Sequence, residues 1–322
     1  MIPPADKIVI CFAHVAYRLH ERFAALDTGI SSFAVRDLEA LETRVVEADV
    51  LVISGLWQTQ LLDRAKKLRF IQSIGAGTDQ FPREELTKRN IRLASARGVN
   101  ARAVAEHAMA LMLALSRRLP EARDNQSKRI WRGMIGDLAQ REDELAGKTL
   151  LVVGLGDIGG RLVRLAKAFD MHVVGLRRHP ALGRGVADAV HGMDELIALL
   201  PDADFVVLTC PLTAETENLI GAEAFNRLKP TARLVNVARG RVVDETALID
   251  ALATRRIAGA GIDVTTEEPL EPTSPLWAME QVLITPHTAG ETRRYEDNVI
   301  EILLDNLGRL ERGETQLRNQ IV

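Results

Sequence analysis

Three short segments of the 322-residue chain carry the side chains best suited to moving protons or holding charge. They are Val237-Ala238-Arg239-Gly240, Asp263-Val264-Thr265-Thr266-Glu267-Glu268-Pro269 and Thr285-Pro286-His287-Thr288-Ala289-Gly290, and each follows a strand-like apolar run. Imidazole exchanges a proton near neutral pH, so His287 is suited to be general acid and base toward a substrate oxygen. A carboxylate beside it would orient the ring and stabilise the imidazolium, and both Glu267 and Glu268 are candidates. Arg239 offers a planar fork that pairs with a carboxylate and polarises a keto oxygen. Plainer readings stand beside these. Most of seven histidines in any chain are structural or exposed, Arg239 suits a surface turn, Glu268 a solvated acid, and Asp263 a structural cap.

A glycine pattern lies upstream. The apolar run Leu150-Leu151-Val152-Val153 breaks into Gly154-x-Gly156-x-x-Gly159, enclosing Asp157 and Ile158. Helical spacing then takes over through Leu162, Val163, Leu165 and Ala166, and a second strand follows at His172 to Leu176. In such a strand, turn and helix the first glycine permits the turn, the second lets backbone approach a pyrophosphate, and the third allows close packing. Amides and the helix dipole then favour phosphate. A structural turn would explain three glycines alone, but the completed βαβ unit points to a dinucleotide. Users of NAD place an acid at the end of the second strand, about 20 residues beyond the loop, to hold the ribose 2′-hydroxyl. Here Arg177 and Arg178 stand there with no neighbouring carboxylate in sequence, which suits a 2′-phosphate. The expectation is NADP(H) preferred, NAD(H) possible, against a solvated basic pair that tolerates both.

The elements that must position these groups read as alternating strands and helices. Strands are expected at Lys7 to Ala13, Asp49 to Ser54, Leu68 to Ile74 and Ile91 to Ser95, with helices at Tyr17 to Leu26, Gln58 to Lys67 and Pro82 to Arg89. Asn100 opens a long apolar helix, expected to be buried on several sides between domains or subunits, or simply in a core. From Pro120 to Gly147 the pattern weakens into a surface excursion whose only large anchor is Trp131. The second half reads as six strands with intervening helices, closed by a helix at Glu291 to Glu311. The fold expected is α/β, with two doubly wound parallel sheets.

Composition removes other classes. A hydrophobic share of 47% with 26% charged residues suits a soluble globular chain, and a net charge of −3 without a basic block speaks against nucleic acid or membrane partners. Met1 to Lys7 lacks the basic start of a signal peptide, and the longest helical apolar run, Ala108 to Leu115, is too short to span a bilayer. The two cysteines, Cys11 and Cys210, sit in apolar runs and read as buried reduced thiols, which fits a cytoplasmic protein. No metal site is expected.

The chain resembles the D-isomer-specific 2-hydroxyacid dehydrogenases over nearly its whole length. The resemblance is carried by Leu145-Ala146-Gly147-Lys148-Thr149, the glycine loop, Pro211-Leu212-Thr213 with Thr216, Asn236 to Gly240, Asp263, Glu268-Pro269 and Pro286-His287. It implies that Arg239, Glu268 and His287 hold the catalytic positions, Glu268 being chosen because the partner carboxylate directly precedes the proline. It also implies that Pro211, Thr216, Ala238 and Asp263 join Gly154, Gly156, Asp157, Ile158, Gly159, Arg177 and Arg178 in binding cofactor, with Asp263 near the nicotinamide carboxamide. Gly75, Ala76 and Gly77 resemble the loop that binds substrate carboxylate through backbone amides, a nest built from small residues. A flavodoxin-like substrate domain is implied at residues 1–100 and 290–322, a Rossmann cofactor domain at 101–289, and substrate in the cleft between them. Trp57, Trp131 and Leu56 would shape the pocket mouth, although a core position is the commoner one for an aromatic. A homodimer through the helix after Asn100 is implied too. The expected partner is a small 2-keto or 2-hydroxy acid, with glyoxylate and hydroxypyruvate first and phosphoglycerate as an alternative, although the chain leaves no room for the regulatory domain of many phosphoglycerate dehydrogenases. A nucleotide-sensing corepressor is the non-enzymatic alternative, and a formate dehydrogenase would lack the glutamate.

Overall fold

The computed structural model describes residues 7–322, so the expectation for Met1 to Asp6 lies outside the described residues. Packing divides the chain into two units, one running to Asn100 and resuming over Thr292–Val322, the other Ala101–Glu291.

In the first unit β1 (Val9–Ala13), β2 (Ser31–Val35), β3 (Val50–Ile53), β4 (Phe70–Ser73) and β5 (Arg92–Ala94) form a parallel sheet in the order β2-β1-β3-β4-β5. That is the flavodoxin-like order. Alternate residues of β1 feed two cores. Cys11 and Ala13 pack with Leu41, Leu61, Leu62 and Leu86 of α2 (Leu38–Arg44), α3 (Leu61–Arg64) and α4 (Arg83–Lys88), whereas Ile10 and Phe12 pack toward Leu19 and Phe23 of α1 (Leu19–Ala24). Two elements are invisible in the periodicity. β2 is a half-exposed edge strand whose apolar run is confined to Phe33-Ala34-Val35, and α2 is started by Asp37, whose carboxylate accepts from the Ala40 amide at 2.8 Å. Conversely, the helix expected over Gln58 to Lys67 shortens to the four residues of α3.

The second unit opens with α5 (Ala101–Ser116) and α6 (Leu119–Ser127), then alternates through β6 (Thr149–Val153), α7 (Asp157–Ala168), β7 (His172–Leu176), β8 (Ala189–His191), α8 (Leu196–Leu199), β9 (Phe205–Leu208), α9 (Ala222–Arg227), β10 (Arg233–Asn236), α10 (Glu245–Ala253), β11 (Gly259–Ile262) and β12 (Val282–Ile284). The sheet is parallel throughout, in the order β12-β11-β10-β9-β6-β7-β8. Seven strands replace the six expected, because β8 is a three-residue edge strand of half-buried residues that leaves no apolar signature. α5 packs on α7 and on the sheet, with Val104, Ala105, Ala108, Leu111 and Met112 in one core with Leu150, Val152, Leu162 and Val163. Its apolar excess is therefore used inside this unit. At Gly261 an added Cβ would lie 3.0 Å from Leu111, so the glycine lets the helix sit down on β11. α6 stands where an irregular surface excursion is expected, and Trp131 is no anchor, being 98% exposed.

The chain then returns to the first unit as α11 (Tyr295–Glu311), which places Tyr295, Val299, Ile300, Leu303 and Leu307 over the β1 face carrying Ile10 and Phe12. Among the described residues no helix is long and apolar enough to cross a membrane.

Candidate active site

In the second unit the chemically capable side chains stand just beyond the carboxyl ends of the strands, where ligands of such sheets bind. After β10, the buried Asn236 clamps a turn. Its carbonyl accepts from the Ala238 amide at 3.0 Å and its amide donates to the Arg239 carbonyl at 2.9 Å. Arg239 is thereby presented on the surface with one nitrogen donating to the Ala238 carbonyl at 2.7 Å. Among the described residues nothing else engages its fork. Gly240 then meets the turn after β11 so closely that a Cβ would fall 2.0 Å from the Thr265 carbonyl carbon. This backbone contact joins the Arg239 turn to the Glu268 turn.

Glu268 and His287 form a pair. Glu268 Oε2 lies 2.7 Å from His287 Nδ1, and its other oxygen accepts from the Thr265 amide at 3.2 Å. Both side chains are partly exposed, so the opposite imidazole nitrogen remains open to solvent or a ligand. Glu267, the rival acid, is exposed and contributes only its carbonyl, which accepts from the Thr265 hydroxyl at 2.7 Å. His287 adopts φ +54, and its amide donates to the Asp263 carbonyl at 2.8 Å.

Asp263 is the hub beneath this turn. Its buried carboxylate takes the Thr285 hydroxyl at 2.6 Å and the Thr288 amide at 3.0 Å on Oδ1, and the Ala289 amide at 3.1 Å on Oδ2. The structural cap considered from sequence is thus present, and Oδ2 still has a lone pair to offer. His107 of α5 completes the network, its Nε2 lying 2.9 Å from Thr285 Oγ1. Sequence reasoning passes over His107 as a helix position; a histidine within a mostly apolar helix is the signal it leaves. It also passes over Trp277, which with Pro269, Leu270, Ile284 and Pro286 lines a cavity of about 530 Å³ against Glu268 and His287.

The glycine turn lies at the switch point of the strand order, between β6 and β9. Gly154 has φ +106, and a Cβ there would lie 2.7 Å from the Cys210 amide; at Gly159 it would lie 2.1 Å from the Gly154 carbonyl. At Gly156 it would meet nothing within 4 Å. Two glycines are thus required by the protein's own backbone, whereas the open space at Gly156, beside Asp157 and Ile158 at the start of α7, fits the approach of a dinucleotide pyrophosphate.

Past β7, Arg177 donates to the Gly183 carbonyl at 3.2 Å, and Arg178 lies 3.6 Å from Glu215. Sequence neighbours show no carboxylate here, but the loop after β9 brings one. The Thr213 hydroxyl, then a backbone amide and Arg178, hold the Glu215 carboxyl below its usual range. The Arg178–Glu215 pair is widely exposed, so it contributes little and exchanges readily. Thr216 is buried with its hydroxyl committed inside that loop, donating to the Pro211 carbonyl at 2.7 Å and accepting from the Thr213 amide at 2.7 Å. Its hydroxyl frames the loop in this way. Ala238 is buried and Pro211 exposed.

In the first unit, Gly75, Ala76 and Gly77 follow β4. Ser73 Oγ takes the Gly75 amide at 3.3 Å, and the Gly75 carbonyl accepts from Ala96 at 2.9 Å. Among the described residues none accepts from the amides of Ala76 and Gly77, which suits a nest for an anion. Trp57 is buried in that unit's core with its ring 4.9 Å from Phe81, so it does not line a mouth. Among the described residues no group of three or more His, Cys, Asp or Glu could hold a metal ion.

Residues 109–289 match the family model for the D-isomer specific 2-hydroxyacid dehydrogenase, NAD binding domain. The chain is similar to the glyoxylate reductase of Korarchaeum cryptofilum, 36% identical over 279 residues that make up 84% of this chain and 82% of that protein. Its fold is similar to that of TT0316 protein from Thermus thermophilus, with a TM-score of 0.85 and 32% identity over 98% of this chain and 100% of that one. It is also similar to an NADPH-dependent glyoxylate/hydroxypyruvate reductase from Sinorhizobium meliloti solved with NADP and malonate, with a TM-score of 0.81 and 26% identity over 98% of this chain and 97% of that one.

Proposed function

Because the chain belongs to the D-isomer-specific 2-hydroxyacid dehydrogenases, and is thus a dinucleotide-dependent oxidoreductase, we propose that it reduces small 2-keto acids, glyoxylate and hydroxypyruvate first, with NADP(H) preferred and NAD(H) possible. The observation that carries this reading is the Glu268 to His287 contact of 2.7 Å beside the Arg239 turn. With Nδ1 held by the carboxylate, the ring exchanges its proton at Nε2. In reduction His287 donates that proton to the oxygen formed at C2, and in oxidation it withdraws the hydroxyl proton. Glu268 fixes the tautomer and stabilises the imidazolium. Arg239 polarises the keto oxygen and neutralises the acid's carboxylate; in the first unit, we assign an anion-binding role to the amides of Ala76 and Gly77. Hydride exchange with C2 is the chemistry a bound nicotinamide contributes. Gly154, Gly156, Asp157, Ile158, Gly159 and Ala238 would hold its dinucleotide, with Asp263 Oδ2 accepting from the carboxamide.

Arg177 and Arg178 support the NADP(H) preference, since a 2′-phosphate can displace Glu215 from Arg178. A similar reductase solved with NADP supports the same choice. Steady-state kinetics with NADPH and NADH test it. NADPH is expected to have the higher kcat/KM, and replacing both arginines by glutamine is expected to lower that advantage about tenfold or more. Equal or better efficiency with NADH in the native chain rejects the preference.

We also read the active form as a homodimer in the cytoplasm. The support lies after α5 rather than on it. Trp131 and Met134 are exposed at 98% and 102%, with Leu119, Ile130 and Leu138 also exposed in the same stretch. A cavity of about 600 Å³ lined by Leu115, Arg118, Asp124, Lys128 and Arg233 lies beside it. So much apolar surface marks an interaction site. Two buried reduced thiols suit a reducing compartment.

A further inference from the structure

The hydroxyl of Thr285 has one proton, and its 2.6 Å contact with the Asp263 carboxylate is the shorter and charge-assisted one, so the proton goes there. The 2.9 Å contact to His107 must then run the other way, with His107 Nε2–H donating to Thr285 Oγ1. This defines a relay of fixed direction from α5 to the turn that carries His287: His107 to Thr285 to Asp263. The carboxylate at its end is buried and already holds the Thr288 and Ala289 amides, which immediately follow His287. Rotation of that carboxylate would move both the amides and the lone pair left on Oδ2. With its proton committed to Asp263, the Thr285 hydroxyl offers its lone pair to a donor, and His107 is the donor that engages it.

We infer that His107 is a positioning residue: through Thr285 it orients Asp263 toward the nicotinamide carboxamide and holds the His287 turn in register. His107 itself touches neither substrate nor cofactor. The inference rests on the reading of Asp263 as the acceptor for the carboxamide. It makes α5 part of the active-site apparatus rather than core filler, and it explains why a half-buried histidine occupies a helix whose other inward positions, apart from Ser116, are Ala, Val, Met and Leu.

The experiment compares His107→Gln, whose amide nitrogen can donate from nearly the position of Nε2, with His107→Leu, which keeps bulk and loses the donor. Thr285→Val removes the relay without touching α5. For each, calorimetry measures binding of NADPH and NADH against the matching ADP-ribose fragments that lack nicotinamide, and kinetics with glyoxylate and hydroxypyruvate give kcat and KM. His107→Leu and Thr285→Val are expected to weaken both dinucleotides about tenfold, the effect of one hydrogen bond to a charged group, while fragment binding changes less than about twofold. They are expected to lower kcat more than they raise KM, with His107→Gln close to the native chain. Equal loss with dinucleotide and fragment, a leucine variant as tight as the native chain, or a glutamine variant as damaged as the leucine one overturns the inference. A native chain inert toward every keto acid would instead reject the catalytic reading, and the binding comparison would still decide the role of His107.

Discussion

His287 occupies φ +54, a region that costs a residue with a side chain about 1–2 kcal/mol, though histidine visits it more often than most. Asp263 maintains it by accepting the amide of His287 on its carbonyl and the two following amides on its carboxylate. Strain of this kind persists where the surroundings over-determine it, and functional sites are where it collects. Arg239 and His287 are legible in sequence because each follows its strand directly. Residue type alone leaves Glu267 and Glu268 equal; the family pattern separates them, and the 2.7 Å contact agrees. His107 cannot be read, since its partner Thr285 stands 178 positions away. The two thiols belong to the same scale. Burial pushes Cys11 up to about 12 and Cys210 up to about 11 from an ordinary value of 9.0. In an unfolded chain both would shed their protons near that ordinary value. Their contribution to stability is therefore complete below it and is lost as pH rises toward the folded values. The unfolding temperature is expected to fall across that alkaline window, and less so in Cys210→Ala. Alkylation at about pH 8 should leave the native chain unlabelled; rapid labelling of the folded protein would contradict the burial.

At the scale of elements, the glycine turn separates two jobs that sequence merges. Gly154 and Gly159 are demanded by backbone at 2.7 Å and 2.1 Å, whereas Gly156 faces open space. Gly154→Ala is expected to lower the unfolding temperature by several degrees, a loss of about 1–3 kcal/mol from overpacking and a forced positive φ. Gly156→Ala is expected to leave that temperature unchanged and to weaken dinucleotide binding about tenfold or more, because the methyl stands where the pyrophosphate must approach. Calorimetry of both variants checks this. Destabilisation by Gly156→Ala, or undiminished binding, would remove the turn from cofactor recognition. The strongly apolar central strands are readable because parallel strands buried on both faces give unbroken apolar runs. The edge strands β2 and β8 are not, since half-exposed residues such as Ser31, Ser32 and His191 keep their apolar runs short.

For the whole molecule, family and class are legible in the ordered motifs, but surface chemistry is not. Trp131, expected from sequence to be an anchor, stands almost wholly exposed, near the also exposed Ile130, Met134 and Leu138. Light scattering of the native chain is expected to give the mass of a dimer, and Trp131→Ser with Met134→Ser to shift it toward monomer; a native monomer would end the dimer reading. The central claim is that His287, held by Glu268, moves the proton in a keto acid reduction. Its most direct test is consumption of reduced dinucleotide by the pure protein over a panel of 2-keto acids, repeated with His287→Ala alongside a binding assay for the dinucleotide. Turnover is predicted with glyoxylate or hydroxypyruvate, lost about a hundredfold or more in the variant, with dinucleotide affinity retained. Turnover undiminished in His287→Ala would contradict the claim, as would a folded, dinucleotide-binding native chain that reduces none of the acids.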